Sequence, residues 1–220
     1  MKTESLDLRN CDCMDLMREF PDNHFDLAVV DPPYGIGESG KTNGSRSKIA
    51  TSKEYGEFSG CDKESPSRDY FSELRRVSKD QVVWGGNHMM SEIAESSPCW
   101  IVWDKQNGAN DFADCELAWT SFKSAVRKVT FRWHGMLQGD MKNKESRIHP
   151  TQKPVALYNW IYANYAEKGM TILDTHLGSM SSAIAAHYAG MHLTGSELDP
   201  DYYKAGCERV EIETRQTTFL

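Results

Sequence analysis

The tetrapeptide Asp31-Pro32-Pro33-Tyr34 follows the apolar run FDLAVV and gathers groups suited to one kind of chemistry. An amine attached to an aromatic base is a poor nucleophile because its lone pair is delocalised into the ring. It becomes competent for alkylation when both its hydrogens meet fixed acceptors and the nitrogen is drawn toward tetrahedral geometry. Asp31 supplies a carboxylate acceptor, and the Pro32 carbonyl can supply the second. Neither Pro32 nor Pro33 has an N–H to compete, and their rings restrict the backbone that aims the carbonyl. Tyr34 offers a face on which a planar base can stack. The bland alternative is a Pro-Pro turn at the C-terminal end of a strand, although that is also the edge where open α/β sheets place ligands. A competing pattern overlaps this one: Gly35, Gly40, Lys41 and Thr42 satisfy the phosphate-loop motif G-x-x-x-x-G-K-T. Such a loop needs a strand leading directly into it and an apolar helix leaving it. Here Asp31 to Tyr34 intervene and NGSRSKIATSKEYG follows, which favours the amine chemistry.

A second constellation lies far along the chain. The segment ILDTHLGSMSSAIAAHYAG, residues 172–190, reads as strand, sharp turn and helix. Gly178 permits close backbone approach, and Ser179 is of a type that caps a helix. Glu197 stands roughly 20 residues beyond the turn, where a nucleotide site commonly keeps an acid for ribose hydroxyls. Glycine turns also occur in α/β sheets without a ligand, so a purely structural role stays open. His176 reads as a packing or hydrogen-bonding residue, since alkylation of an amine needs acceptors more than an early base. His149 reads as turn packing. Lys153, within HPTQKP, suits a site lysine or a solvated one, and Asp12 suits the cap of a helix over 13–19.

A framework has to bring these residues together. The 220 residues suffice for one substantial core, expected as a single domain over 1–220. Apolar runs alternating with amphipathic segments predict an α/β fold with an open, mostly parallel sheet. Strands are expected near 5–9, 26–30, 81–84, 99–103, 115–120, 127–131, 171–173 and 191–194. Runs such as WIVW and AVV are continuously apolar, which calls for helices on both faces. TFRWH alternates and suits an edge or antiparallel strand. Ser65-Pro66 and Asp199-Pro200 mark helix starts. Pro154 is expected to open a helix to about residue 166, burying Val155, Leu157, Trp160, Ile161 and Tyr165. Residues 35–64 read as a long loop near substrate, and 130–148 as a short basic recognition segment.

Composition narrows the function further. Hydrophobic residues make up 39% and charged residues 26%, an ordinary globular balance. The six cysteines form one C-x-C and no second close pair, so free thiols and no metal are expected. The N-terminus lacks the apolar core of a signal peptide, and no apolar run approaches the roughly 20 residues of a membrane span. A cytoplasmic protein without membrane contact is therefore expected. The formal charge is −7, yet residues 123–153 carry eight Lys or Arg against Asp140 and Glu145. A second basic cluster, with Lys41, Arg46 and Lys48, follows the opening motif, so both basic regions lie near the proposed chemistry.

Three stretches in this order resemble the S-adenosylmethionine-dependent DNA amino-methyltransferases in the permuted arrangement called the beta class. They are NCDCMDLMREFPDNHFDLAVVDPPYGIG, HPTQKP at 149–154, and ILDTHLGSMSSAIAAHYAGMHLTGSELDPDYY at 172–203. The resemblance implies a Rossmann-like methyltransferase sheet with one or more antiparallel strands, S-adenosyl-L-methionine as cofactor and double-stranded DNA as partner. It implies methyl transfer to the exocyclic amino nitrogen of a flipped base held by Asp31, Pro32, Pro33 and Tyr34. Asp174, Gly178 and Ser179 would surround the donor's methionine part, with Lys153 near its carboxylate. Glu197 would meet the ribose, and Asp12 and Cys13 the adenine. Relatives with Asp before Pro-Pro-Tyr more often act on adenine N6, which is the favoured target; cytosine N4 is the alternative. An RNA or protein-amide methyltransferase and a catalytically silent DNA-binding protein are further alternatives. This chain departs from the family's usual pattern at Thr175-His176, where Pro-Phe is common, and at Met180, where a third glycine is common.

DNA contacts are expected from Lys41, Arg46, Lys48, Arg127, Lys128, Arg132, Trp133, Lys142, Lys144 and Arg147, although a place in the core is the more ordinary role for a tryptophan such as Trp133. The recognition region is short compared with larger relatives, so it would be weak, supplemented by 35–64, or completed by the second subunit of a homodimer. The family also implies a prokaryotic protein, or a viral one in its host's cytoplasm. The sequence leaves the recognised site and any restriction partner unspecified.

Overall fold

The computed structural model describes residues 1–36, 64–107, 113–134 and 137–215. In chain order the elements are β1 (Leu6–Arg9), α1 (Cys13–Arg18), β2 (Phe25–Val30), α2 (Arg68–Val77) and β3 (Ser78–Trp84). A single 3-10 turn (Gly86–His88) and the short α3 (Met90–Ile93) lead to β4 (Trp100–Asp104), β5 (Cys115–Thr120) and β6 (Arg127–Thr130). Then come β7 (Trp133–His134), β8 (Leu137–Gln138), α4 (Val155–Tyr165), β9 (Thr171–Asp174), α5 (Ser181–Ala189), β10 (His192–Ser196) and α6 (Pro200–Arg215).

Eight strands form one sheet in the order β1-β10-β9-β2-β3-β5-β4-β6. Only β5 runs against its neighbours, pairing antiparallel with both β3 and β4. The period-2 alternation of strand side chains explains how helices cover both faces. Along β2, Leu27 and Val29 join Leu157, Ile161 and Ile184 in one core cluster, on the α4 and α5 side. Ala28 and Val30 instead join Leu16, Phe71 and Leu74 in a second, on the α1 and α2 side. Fully burying such a Leu or Val stabilises by about 2 kcal/mol, so neither face tolerates a polar strand residue without a partner.

Chain direction across the sheet reverses between β2 and β9, which pair in parallel with Leu27 opposite Ile172 and Ala28 opposite Leu173. From β2 the chain proceeds outward to β3 and beyond, then returns to β9 and continues to β10 beside β1. Open sheets bind ligands at such a reversal, beyond the strands' carboxyl ends. Asp31 follows β2 there, and Asp174 closes β9.

The eight expected strands are present, with ends displaced by a few residues. TFRWH contributes only Trp133 and His134, paired with β8 in a separate two-stranded ribbon. The helix expected from Ser65-Pro66 begins at Arg68, with Ser67 at the cap position and no side-chain cap bond. Pro154 occupies the extended position just before α4, and the helix buries Tyr158 and Tyr162 beside Leu157 and Ile161. Val155, Trp160 and Tyr165 are only partly buried, because α4 packs against α5 as well as the sheet and its contact face is rotated accordingly. Most of the 35–64 loop, including Lys41, Arg46 and Lys48, lies outside the described residues.

Candidate active site

Beyond β2, the two prolines remove backbone donors and end regular pairing. The Asp31 carboxylate is mostly buried, with its side chain 16% exposed. Its Oδ1 accepts from Lys153 Nζ at 2.6 Å and from the Tyr34 hydroxyl at 2.9 Å. Lys153 also donates to the Tyr34 hydroxyl at 3.0 Å, closing a triangle of three side chains. Among the described residues, Asp31 Oδ2 and the Pro32 carbonyl accept no hydrogen bond.

Strand β5 adds a residue that sequence reasoning missed. Glu116 Oε2 lies 3.2 Å from Lys153 Nζ, while Oε1 pairs with Lys105. A lone carboxylate inside the otherwise apolar CELAWT was the available signal, since glutamate is almost never buried unless paired. Burial disfavours the Glu116 carboxylate, but Lys153 and Lys105 outweigh it and hold its pKa at about 2. Burial likewise opposes the Lys153 ammonium, which Asp31 and Glu116 nonetheless raise above its ordinary value. For Asp31, burial pushes the carboxyl up and Lys153 pulls it back.

The Tyr34 ring stacks on exposed His88, with centroids 5.4 Å apart and planes 19° from parallel. Gly85 permits this arrangement: it has φ +67°, and a Cβ there would fall 2.2 Å from Tyr34 Cε1. Tyr34 and Lys153 are thus positioned by the β3 end and the segment entering α4, far apart in sequence.

At the neighbouring strand end, Asp174 is buried and accepts from the His176 N–H at 3.1 Å and from the Ser182 hydroxyl. Burial raises its pKa to about 7, with Asp31 and Glu197 adding repulsion. Glu197 Oε2 accepts from the Gly178 N–H at 2.8 Å, and Oε1 from the Asp199 N–H at 2.9 Å. Its burial also raises its pKa. Among the described residues neither Asp174 nor Glu197 forms an ion pair.

The expected cap at Ser179 is corrected by the structure. Met180 holds the position before α5, with φ 60° and ψ 25°, and no side chain caps the helix. Ser179 Oγ instead meets Ser181 Oγ at 3.1 Å. Left-handed backbone costs a non-glycine residue roughly 1–2 kcal/mol. Complete burial of Met180 offsets that cost, and Gly206 makes the room: a Cβ there would lie 2.8 Å from Met180 Cγ and Sδ. Arg209 holds the same turn, donating to the Ser179 carbonyl at 2.8 Å. Its other arm reaches Glu145 at 2.7 Å, and Glu145 accepts from the Val155 N–H at 3.0 Å. This ties the 137–148 segment to the turn and to the start of α4.

Asp12 caps α1, accepting from the Met14 and Asp15 N–H groups at 2.8 and 3.2 Å. Cys13 is kept as a thiol, its pKa pushed to about 12 by burial. His176 bonds Thr175 through Nδ1 at 2.9 Å, and burial lowers its pKa to about 4, so it is a neutral packing residue. His149 packs against Tyr202 and is likewise lowered to about 4 by burial. Lys153 is engaged by the Asp31 cluster and not by the turn at Gly178, because two partly buried carboxylates draw its ammonium there. Trp133 is buried, with Nε1 donating to the Gln152 carbonyl at 2.7 Å, and presents no ring to a groove. Arg127, Lys128, Arg132, Lys142 and Lys144 are exposed, Lys128 pairing with Asp104. Arg147 is partly buried and donates to the Pro150 carbonyl at 2.7 Å.

The mostly parallel sheet, with Asp31 and Asp174 at the chain reversal, has the Rossmann-like methyltransferase fold of the solved structures below. A family model described as DNA methylase matches residues 119–208. Over 234 residues the chain is 25% identical to the type II methyltransferase M2.MboI of Moraxella bovis, covering 90% of this chain and 84% of that one. The solved M1.HpyAVI–SAM complex superposes with a TM-score of 0.57 at 17% identity, covering 93% of this chain and 99% of the other. The cytosine-N4-specific PvuII DNA methyltransferase superposes at 0.59 with 14% identity, covering 98% and 93%.

Proposed function

We propose that this chain transfers a methyl group from S-adenosyl-L-methionine to the exocyclic amino nitrogen of a base flipped from double-stranded DNA, adenine N6 being favoured. The observation that carries the proposal is the half-engaged carboxylate: Lys153 and Tyr34 fix Asp31 Oδ1, while Oδ2 and the Pro32 carbonyl stay open. Two fixed acceptors match the two hydrogens of an amino group. As the nitrogen gains a methyl it becomes cationic, and the surplus proton passes to Asp31 or water.

The donor, when bound, supplies an electrophilic methyl on a sulfonium. The residues present suit such a cation, because buried Asp174 and half-buried Glu197 are carboxylates without an ion-pair partner among the described residues. Asp174, Gly178 and Ser179 would hold its methionine part, Glu197 its ribose, and Asp12 and Cys13 its adenine. For a base to stack on Tyr34, the exposed ring of His88 has to give way. Arg127, Lys128, Arg132, Lys142 and Lys144 would contact phosphates, giving affinity and register without sequence choice.

The order of the motifs supports a beta-class enzyme with one domain over 1–220, working in the cytoplasm. No helix among the described residues is long and apolar enough to cross a membrane. A homodimer would supplement the short recognition segment. The test is incubation with labelled donor and mixed-sequence duplexes, followed by nucleoside analysis. N6-methyladenine is expected; N4-methylcytosine would overturn the base assignment, and no methylated nucleoside would overturn the function.

A further inference from the structure

Resting on the methyl-transfer assignment, we infer that Glu116 is a positioning residue of the reaction. It shares Lys153 with Asp31, so that the ammonium engages one Asp31 oxygen and leaves the other to the substrate amine. Glu116 holds a lysine at each oxygen: Lys105 at Oε1, and Lys153 3.2 Å from Oε2. Oε2 accepts no well-aligned hydrogen bond, so its hold on Lys153 is a charge–charge attraction. Lys153 is 5% exposed and reaches Asp31 Oδ1 at 2.6 Å. Deprived of Glu116, this buried cation would have Asp31 as its nearest anion and would move onto the carboxylate as a whole, covering the oxygen the amine needs. With Glu116 in place, two carboxylates and two ammonium groups balance, and Lys153 is drawn from both sides.

The same geometry makes the charge of Glu116 felt at Asp31. Facing Asp31 are Lys153 from the segment entering α4, Tyr158 from α4, Tyr34 beyond β2, Glu116 from β5 and Asp174 from β9. Facing Glu116 are Lys105 and Lys153, with Asp31, Tyr34 and Tyr158 on the Lys153 side. Of these groups, Glu116 and Asp174 bring further negative charge, and Glu116 makes direct contact with Lys153.

The experiment compares wild type, Glu116→Gln and Lys105→Gln in single-turnover DNA methylation across pH, with donor affinity measured by equilibrium binding. Glu116→Gln keeps shape and removes charge. Its rate should fall about 10-fold or more while donor Kd stays within about threefold, the signature of a lost transition-state arrangement. The acid limb of its pH profile should move down by about one pH unit, because a negative neighbour of Asp31 has gone. Lys105→Gln removes a positive charge from the other side of Glu116 and should move the limb upward. Wild-type rate and limb in Glu116→Gln would overturn the inference, as would rate loss with the limb unmoved in both variants, which is what a merely structural role predicts. If Glu116→Gln fails to fold, Lys105→Gln decides: an upward limb supports the inference and an unmoved one removes it. A wild type that methylates no nucleoside removes the function and this inference with it, whereas a methylating wild type with unaltered variants removes the inference alone.

Discussion

Asp174→Asn tests whether the proposed donor site carries stored electrostatic cost. In the folded chain burial lifts the Asp174 carboxyl from an ordinary 3.8 to about 7. Its folded value exceeds its unfolded one, so between pH 3.8 and about 7 the folded state holds the proton more tightly. Stability is consequently greatest below that window, falls as pH rises through it and stays reduced above. At about 1.4 kcal/mol per pH unit the displacement amounts to about 4 kcal/mol, a ceiling that relaxation of the surroundings could halve to about 2. Asparagine cannot ionise and can still accept from His176 N–H and meet Ser182, so it escapes the penalty. At pH 8 the variant should melt about 4–8 °C above wild type, with the gain shrinking toward zero near pH 4. Thermal unfolding followed at several pH values measures this. A variant less stable than wild type at pH 8, or a difference independent of pH, would refute the account of Asp174 as an unpaired buried acid. The same variant should lose donor affinity, since the carboxylate that weakens the fold is proposed to be compensated by a cationic ligand.

Other consequences are equally direct. Asp31→Ala should lower methylation at least about 100-fold with donor binding within about threefold, and lost binding with normal turnover of the residual complex would contradict its role. Gly85→Ala drives a Cβ into the Tyr34 ring, at 2.2 Å from Cε1, and should cut the methylation rate more than about 10-fold; unchanged activity would dismiss the Tyr34 arrangement. Gly206→Ala should cost about 1–3 kcal/mol in denaturant unfolding, with much of that recovered when Met180→Ala is added, whereas strictly additive losses would mean the two do not compete for space. Replacing both Lys142 and Lys144 by Ala should flatten the plot of log affinity for duplex DNA against log salt by about 2, and an unchanged slope would remove them from the phosphate contacts.

Much of the framework was legible because it is local. WIVW and FDLAVV announce buried strands by composition alone, and Asp31-Pro32-Pro33-Tyr34 falls at a strand end because prolines cannot continue the ladder. Asp12 as a cap needs only its own next three residues. What stayed hidden depends on residues brought together from afar. Lys153 meets Asp31 across 122 positions, and nothing in HPTQKP says which carboxylate its ammonium will choose. The backbone at Met180 was unreadable for a related reason: glycine is the expected occupant, and methionine is tolerated only because Gly206, on another helix, leaves space for its thioether. Trp133 could not be assigned to groove or core until the Gln152 carbonyl was found beside its ring nitrogen.

The reversed course of β5 also sets which of its ends faces the proposed site. A strand laid against the grain brings its beginning, not its end, to the carboxyl edge of its parallel neighbours, so Cys115 lies opposite Asp104 and Glu116 beside Lys153. The proposed donor side, on β9 and β10, lies beyond β3 and β2 in the same sheet. On the proposed assignment, the sheet thereby keeps the carboxylate that shares Lys153 apart from the strands that would hold the methyl donor.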